Sequence, residues 1–483
     1  MIFLYILLGI LALIVIVLAI AVIRTLLVKP RVSEYTYSTD KARIDEYCAK
    51  LATMIQHETV SKVGDEANPK FEAFHGVLRE LFPKVFATCE YRSFDGSIML
   101  CWKGTNPSLQ PIVLMSHIDV VPVEGQWRFE PFSGTVAEGK IWGRGSGDTK
   151  CSVMAFYQAA EELITSGYQP ACDVYLVSGC TEEIGGSGGP KMCKYFKDNG
   201  IRLFMLCDEG GGMVLDPIGG VKGTFATVGI FEKGYGDVKF TARSKGGHAS
   251  TPGKNTPIPR LAKFIAEVEK KSPFKAEFSP AVDRMFKDMA PYCRNFGLKM
   301  VMVNLGLFKP LLKKVMPAIS AQAAAMLQTT MGFTMQSGSD GYNVLPQEAV
   351  VCANMRYIPH QASDESIKIV SDIAAKYDIE TTVIRKNDPS KALDLNGEPF
   401  RIATSAINKV FPGVGIMPYV VTGATDARFY GDVCDGCVRF SPIVYGPEQM
   451  AGMHGIDENI EIGTLPGAVD YYKEIIRLQE ERM

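Results

Sequence analysis

Five short segments of this 483-residue chain carry side chains able to hold cations or move protons. Ser116-His117-Ile118-Asp119 follows the apolar run Ile112–Met115, Thr181-Glu182-Glu183 follows Val174–Val177, and Asp208-Glu209-Gly210 follows Leu203–Cys207. Each apolar run reads as a buried strand. In open parallel sheets the carboxyl ends of the strands line the ligand crevice, so the three clusters should meet at one edge. The fourth segment, Trp142 to Lys150, is a glycine-rich turn entering a helix. A phosphate loop needs Gly-Lys followed by Ser or Thr, whereas here Asp148 intrudes and would repel a phosphate. An aspartate in such a turn suits a metal bridge instead. The fifth is His454, one of six histidines, in the loop Gly452-Met453-His454-Gly455. Adjacent Glu182 and Glu183 would be costly to bury without a compensating cation. Together His117, Asp148, Glu183, Asp208 or Glu209, and His454 offer a mixed nitrogen and oxygen set suited to zinc, with cobalt or manganese as alternatives. His57, His75 and His360 read as ordinary surface or cap residues.

The elements that must position these groups alternate. Ile98–Trp102 is a further buried strand, and Lys150 to Ser166 reads as a helix ended by Gly167. Strand and helix in alternation predict an α/β fold whose mostly parallel sheet has helices on both faces. A second unit reads from about Gly223, with strands at Val238–Ala242, Ala349–Arg356 and Ile379–Arg385 and helices at Pro259–Lys271 and Ser363–Tyr377. That pattern predicts an inserted ferredoxin-like lid. Residues 272–340 form an apolar insertion that could pack in the core, cover the pocket or make an oligomer contact.

The composition is globular, 47% hydrophobic and 22% charged, and the net charge of -2 argues against a nucleic-acid partner. Residues 1–23 carry no charged side chain and are long enough to span a bilayer. Arg24, Lys29 and Arg31 follow, and no basic region precedes, so the segment reads as an uncleaved single-pass anchor; the basic flank favours the cytoplasmic side, whereas the nearby Glu34, Asp40 and Asp45 offset it and leave sidedness open. A signal cleaved near Ala19-Ile20-Ala21 is the alternative. The twelve cysteines do not form a dense disulfide framework, and Cys434 and Cys437 make a lone pair without a second half for a structural zinc site. The expected organisation is anchor 1–23, tether 24–40, catalytic halves 41–222 and 388–483, and lid 223–387.

These motifs in order make the chain from about residue 40 onward resemble the dizinc exopeptidase family of aminoacylase, carboxypeptidase S, acetylornithine deacetylase and succinyl-diaminopimelate desuccinylase. The matching residues are His117-Ile118-Asp119, Gly143-Arg144-Gly145 with Asp148 and Lys150, Glu182 to Gly186, Asp208-Glu209-Gly210, Gly247 to Ser250, Asn354-Met355-Arg356 and His454-Gly455. The resemblance implies two zinc ions bridged by Asp148. His117 and Asp208, with Glu209 as the alternative, would complete one site, and Glu183 with His454 the other. It implies that Asp119 orients His117 and that Glu182 moves the proton. His248 would stabilise the oxyanion, in relatives from a partner subunit, so a homodimer through the lid is expected. Arg356 would bind the substrate carboxylate, with Asn343, Asn354 and Gly423 as further substrate contacts. The implied activity is hydrolysis of an N-acyl amino acid or short peptide bearing a free carboxylate. A carbamoyl or ureido substrate and a catalytically silent membrane-tethered scaffold are the competing readings.

Overall fold

The computed structural model describes residues 1–64 and 69–483. Ten strands among those residues form one sheet. Val174–Ser178, Ile112–Met115, Met205–Asp208 and Cys437–Arg439 lie side by side and parallel at its centre. Glu90–Phe94 and Ser97–Trp102 flank them antiparallel on one side. On the other side Thr224–Glu232 runs antiparallel to Cys437–Arg439. The sheet is therefore parallel where the chemistry-bearing clusters emerge and mixed at its flanks.

The central strands are apolar throughout because both of their faces are covered. Ile98, Leu100 and Trp102 pack in the cluster that includes residues of the helices Lys41–Gln56, Lys150–Thr165 and Leu465–Arg477. Met99 and Cys101 point the other way, into the cluster containing Met192 and Phe196 of the helix Gly188–Asp198. Each large apolar side chain buried in this way contributes about 1.5–3 kcal/mol.

A second sheet orders Thr330–Ser337, Glu348–Tyr357, Gly234–Arg243 and Ile379–Asn387, all antiparallel. Leu261 and Phe264 of the helix Pro257–Lys270 and Val370 and Ala374 of Ser363–Ala375 bury against it. This is the β-α-β-β-α-β order of a ferredoxin-like unit. Two boundaries differ from the sequence reading. Thr224–Glu232 is buried along its whole length in the large sheet, so the second unit begins at Gly234 and not near Gly223. Thr330–Ser337, counted above with the insertion, is an edge strand of the smaller sheet. What remains of the insertion is helical: Pro280–Met289, Phe296–Val303, Leu305–Ile319 and Ala321–Leu327. Met285, Phe286 and Met289 join the main core.

The helix Ile2–Leu27 is long and apolar enough to cross a membrane, and only Ala21 and Thr25 of it are buried. Asn304 donates to the Ala21 carbonyl (3.1 Å) and the Thr25 hydroxyl (3.2 Å), and Lys299 donates to the Val28 carbonyl (2.7 Å). Residues 24–40 are not a loose tether. Arg31 N donates to the Pro291 carbonyl (2.9 Å), the Ser33 hydroxyl accepts from Gly415 N (2.7 Å), and Tyr35 packs 5.6 Å from the Phe411 ring. Gly223 (φ +115°) permits this strap, since a Cβ there would lie 2.1 Å from the Ser33 carbonyl oxygen.

A small sheet pairs Lys140–Trp142 with Thr135–Ala137 and Asn459–Glu461, and so joins the turn carrying Asp148 to the loop carrying His454. Buried Glu458 locks that junction. One of its oxygens accepts from the amides of Gly147 (2.7 Å) and Asp148 (2.9 Å). The other accepts from Gly145 N (3.0 Å) and Arg144 Nη1 (2.6 Å). Arg144 Nη2 also donates to the Gly455 carbonyl (2.7 Å). Removing one member of a buried, hydrogen-bonded ion pair strands the other charge, at a cost of roughly 3–5 kcal/mol. Glu458→Gln should therefore lower the thermal midpoint by many degrees in calorimetry; an unchanged midpoint would mean that this pair does not hold the two loops.

Candidate metal centre

The three strand-end clusters meet because their strands are neighbours in the order Val174–Ser178, Ile112–Met115, Met205–Asp208. The Asp148 turn closes over them from the side, at the entrance to the Lys150–Thr165 helix. Asp148 faces two imidazoles at once. Its Oδ1 is 3.1 Å from His117 Nε2 and its Oδ2 is 3.0 Å from His454 Nε2. Glu183 Oε2 lies 3.1 Å from the same His454 nitrogen.

Two groups of potential ligand atoms result, His117-Asp148-Glu209 and Asp148-Glu183-His454, each within 4.8 Å of one another. They share Asp148. The residues fit divalent cations on two further counts. The remaining Glu183 oxygen, Oε1, is buried without a hydrogen-bond partner. The donor set, imidazole nitrogen with carboxylate oxygen, is that of zinc and its neighbours.

The electrostatics report the same crowding. Burial, followed by repulsion from Asp148, holds Glu209 well above the usual carboxylate range. Burial likewise raises Glu182, to which Glu209, Asp426 and Glu183 add repulsion while His117 opposes it. For His117, burial disfavours charge, yet Asp148, Asp119 and Glu183 outweigh it and lift the imidazole well above its ordinary value. Hydrogen bonding to Asp148 and Glu183 lifts His454 to about 10. Asp148 lies well below its ordinary value, because its two imidazole partners overcome its burial.

Several expected residues sit elsewhere. The acid that joins His117 and Asp148 is Glu209, whereas the sequence reading preferred Asp208. Asp208 is spent on the backbone, accepting from the amides of Glu209 (2.8 Å) and Ala427 (2.9 Å). Asp119 does not orient His117 through its carboxylate. His117 Nδ1 lies 2.9 Å from the Asp119 backbone carbonyl and 3.6 Å from the carboxylate. That carboxylate instead accepts from the amides of Glu182 and Glu183 (both 3.2 Å) and from the Ser61 hydroxyl (2.7 Å). It shapes the Glu pair.

His248 and Asn343 lie together on an exposed two-stranded ribbon, Ala249 N donating to the Asn343 carbonyl (2.9 Å), and neither lines the acidic cleft of its own chain. Asn354 uses its carboxamide on Asp237 (2.9 Å) and on Arg356 Nε (3.1 Å), so it backs the arginine. Gly423 does line the cleft, with Thr422, Ala424 and Thr425. His75, expected at the surface, is buried between the Tyr91 hydroxyl (3.0 Å) and the Gly96 carbonyl (2.8 Å).

Arg428 and Arg385 were not anticipated. Arg428 Nη1 lies 3.8 Å from Glu182 Oε1, and its Nε is buried without a partner. Arg385 and Arg428 flank Gly185, each 3.9 Å from where a Cβ would stand. Arg356 stacks on Tyr235 at 4.6 Å, and Arg385 stacks on the same ring at 4.2 Å. Burial, then repulsion from Arg428 and Arg385, holds Arg356 below its ordinary value, with Tyr235 and Asp237 opposing. Glu458, which locks the Asp148 turn, was also missed, because nothing in its sequence neighbourhood separates it from a solvated acid.

On the opposite side of Glu209 an apolar cavity of about 580 Å³ opens. It shares Glu209, Gly210 and Tyr419 with the acidic cleft. Six methionines line it, no Lys, Arg or His does, and Glu209 is its sole acid among the described residues. The helical insertion supplies one wall, through Met285, Phe286, Leu298, Leu312, Met316 and Met326.

The comparisons with known proteins agree with this geometry. Residues 113–478 match the family described as peptidase family M20/M25/M40. A probable carboxypeptidase S-like protein of Dictyostelium discoideum is 31% identical over 90% of this chain and 85% of its own length. The mouse N-fatty-acyl-amino acid synthase/hydrolase PM20D1 is 31% identical over 88% of this chain and 86% of its own. Among solved structures, an M20 family metallo-carboxypeptidase from Sulfolobus solfataricus superposes with a TM-score of 0.66 at 18% identity, covering 90% of this chain and 99% of that one, which shows a common fold. The chain belongs to the M20 peptidase family, and with carboxypeptidase and acyl-amino-acid hydrolase relatives at this level of identity it is a metal-dependent hydrolase.

Proposed function

We propose that this protein hydrolyses the amide bond of N-acyl amino acids, with a long acyl chain in the apolar cavity and the free carboxylate on the arginines. The observation that carries the reading is the apolar cavity that meets the acidic cleft at Glu209, Gly210 and Tyr419. A cavity of about 300–1,000 Å³ suits a small-molecule ligand. Methionines adapt to flexible alkyl chains. A peptide's free ammonium would find no acid there apart from Glu209, which we assign to a cation. The names of the PM20D1 relatives, which describe N-fatty-acyl amino acids, point the same way.

Two zinc ions are the cations we assign. His117, Asp148 and Glu209 would hold one, and Asp148, Glu183 and His454 the other. Bound there, the pair would supply Lewis acidity toward a water and toward the scissile carbonyl. The chain's own residues do the rest. Glu182 accepts the proton of the attacking water and delivers it to the departing nitrogen. Arg428, 3.8 Å away, is placed to favour the Glu182 carboxylate over its acid form. Arg356, held by Asn354 and stacked on Tyr235, takes the substrate carboxylate in a fork, with Arg385 beside it. His248 would reach a cleft as the oxyanion donor from a partner subunit, which suits its exposed ribbon. The helix Ile2–Leu27 would anchor the enzyme in a bilayer.

Glu182→Gln should retain cations by metal analysis and lose about 10²–10⁴ in turnover. Mixing it with His248→Ala should regain turnover if the histidine crosses between subunits; metal-loaded, fully active Glu182→Gln would sink the proton-transfer role.

Burial opposes charge on both imidazoles, yet the acids beside them raise His117 above its ordinary value and His454 to about 10, which favours their protonated forms in the metal-free site. Cation binding must expel those protons, so apparent affinity rises with pH, by about tenfold per pH unit for each proton released. Calorimetric titration with zinc in buffers of different ionisation enthalpy should show more than one proton released per chain. No release would remove His117 and His454 from the ligand set.

Burying a methylene contributes about 0.8 kcal/mol, or roughly fourfold in kcat/KM. Along N-acetyl, N-butyryl, N-octanoyl and N-dodecanoyl derivatives of one amino acid, kcat/KM should climb at about that rate until the cavity is full. A flat series, with dipeptides cleaved faster, would favour a peptidase specificity.

A further inference from the structure

The insertion helix Leu305–Ile319 turns an apolar face outward. Its exposed residues are Gly306, Leu307, Pro310, Leu311, Lys314, Val315, Ala318 and Ile319, with one charge among eight. Leu307, Leu311, Val315 and Ile319 recur every four residues as a single stripe, 47%, 60%, 38% and 76% exposed. A helix facing water puts polar groups outward, so a contiguous apolar stripe of this length calls for an apolar partner.

What covers the stripe follows from where the helix is pinned. Asn304, at its N-terminus, is bonded to Ala21 and Thr25, in the last two turns of the helix Ile2–Leu27. A bilayer takes up about 20 apolar residues of such a helix. If the span starts near Ile2, residues 21–25 stand at the bilayer surface, and the N-terminus of Leu305–Ile319 stands there with them. The basic residues are arranged to suit an interface. Lys309 and Lys313 turn inward to Asp283 and Glu277, leaving Lys314 alone on the apolar face, where its stem can snorkel. Arg24, Lys29 and Arg31 follow the apolar span in the sequence.

The inward side of the same helix lines the apolar cavity through Leu312 and Met316, and Ile319 belongs to both the lining and the exposed stripe. One helix thus separates the outer face from the chamber that ends at Glu209.

We propose that Leu305–Ile319 lies in the interface of the bilayer that Ile2–Leu27 spans, so that the cavity mouth at Ile319 opens into lipid and a long acyl chain enters from the membrane. This rests on the acyl-cavity and anchor readings above, but one arm of its test is independent of catalysis.

The full-length chain is placed in phosphatidylcholine nanodiscs, with and without bromine on the acyl chains. Leu311→Trp should add a blue-shifted emission that brominated lipid quenches by more than half, measured against the three native tryptophans. Quenching no greater than in the wild-type chain would overturn the proposal, and a second copy of the chain or water would then cover the stripe. In the catalytic arm, Leu311→Glu with Val315→Glu should lower kcat/KM about tenfold for an N-dodecanoyl amino acid supplied in the nanodisc and leave hydrolysis of the N-acetyl analogue in water unchanged. An equal loss on both substrates, or on neither, would also overturn it. If the wild-type chain cleaves neither substrate, the acyl-amino-acid reading fails while the quenching still decides the membrane contact.

Discussion

Four carboxylates, those of Asp148, Glu182, Glu183 and Glu209, are crowded at the edge of one sheet with two imidazoles among them. Like charges this close and this dry repel, and burying them without cations is costly. The metal-free chain meets the problem with protons. Glu182 and Glu209 are pushed toward their acid forms, and His117 and His454 toward their charged ones. Divalent cations would relieve the same repulsion and displace those protons. The site is a cluster that the fold holds open against its own electrostatics, and much of the surrounding structure serves that end.

The holding device recurs. Buried acids that do not face the cation groups accept backbone amides of the loops that do. Asp119 takes the amides of Glu182 and Glu183, and Asp208 those of Glu209 and Ala427. Glu458 takes those of Gly145, Gly147 and Asp148. Glu232, paired with buried Arg439, takes Thr425 N (2.8 Å) and fixes the turn that carries Gly423. A charged acceptor bound to several amides sets a loop's path more tightly than neutral bonds would, so the ligand-bearing turns need no further packing on their exposed side.

The cation groups were legible in the sequence because apolar strands precede three of them, and strand ends meet at the crevice of a parallel sheet. The choice between Asp208 and Glu209 was not legible, because strand parity sets the two acids on opposite faces without saying which face holds the crevice. Leu206 packs with Ala427 on one face, so Asp208, two residues on, turns its carboxylate under the same Ala427 segment and leaves Glu209 at the crevice. The roles of Asp119 and Asn354 were not legible, because sequence cannot separate a carboxylate that reaches an imidazole from one that binds amides. Nor was the apolar cavity, whose walls come from segments more than two hundred residues apart. The insertion defeated pattern reading for a plain reason: its Leu305–Ile319 helix is apolar on both its inner and its outer side, so periodicity gives no inward face.

The polarity of the site as a whole constrains the substrate more than any single contact does. On one side of Glu182 stand Arg356, Arg385 and Arg428, a cationic group that a free amine would avoid and a carboxylate would seek. On the far side of Glu209 the walls are methionine and leucine, with nothing to pair with a charge. A substrate of the proposed kind, anionic at one end and apolar at the other with its cleavable bond between them, would match that order. An N-acyl amino acid has that order of groups, and a free dipeptide, charged at both ends, does not. Under the proposed reading the same asymmetry would set direction: the amino-acid half would face the arginines, the acyl half would face the helical insertion, and the nitrogen that Glu182 would protonate belongs to the half on the arginine side.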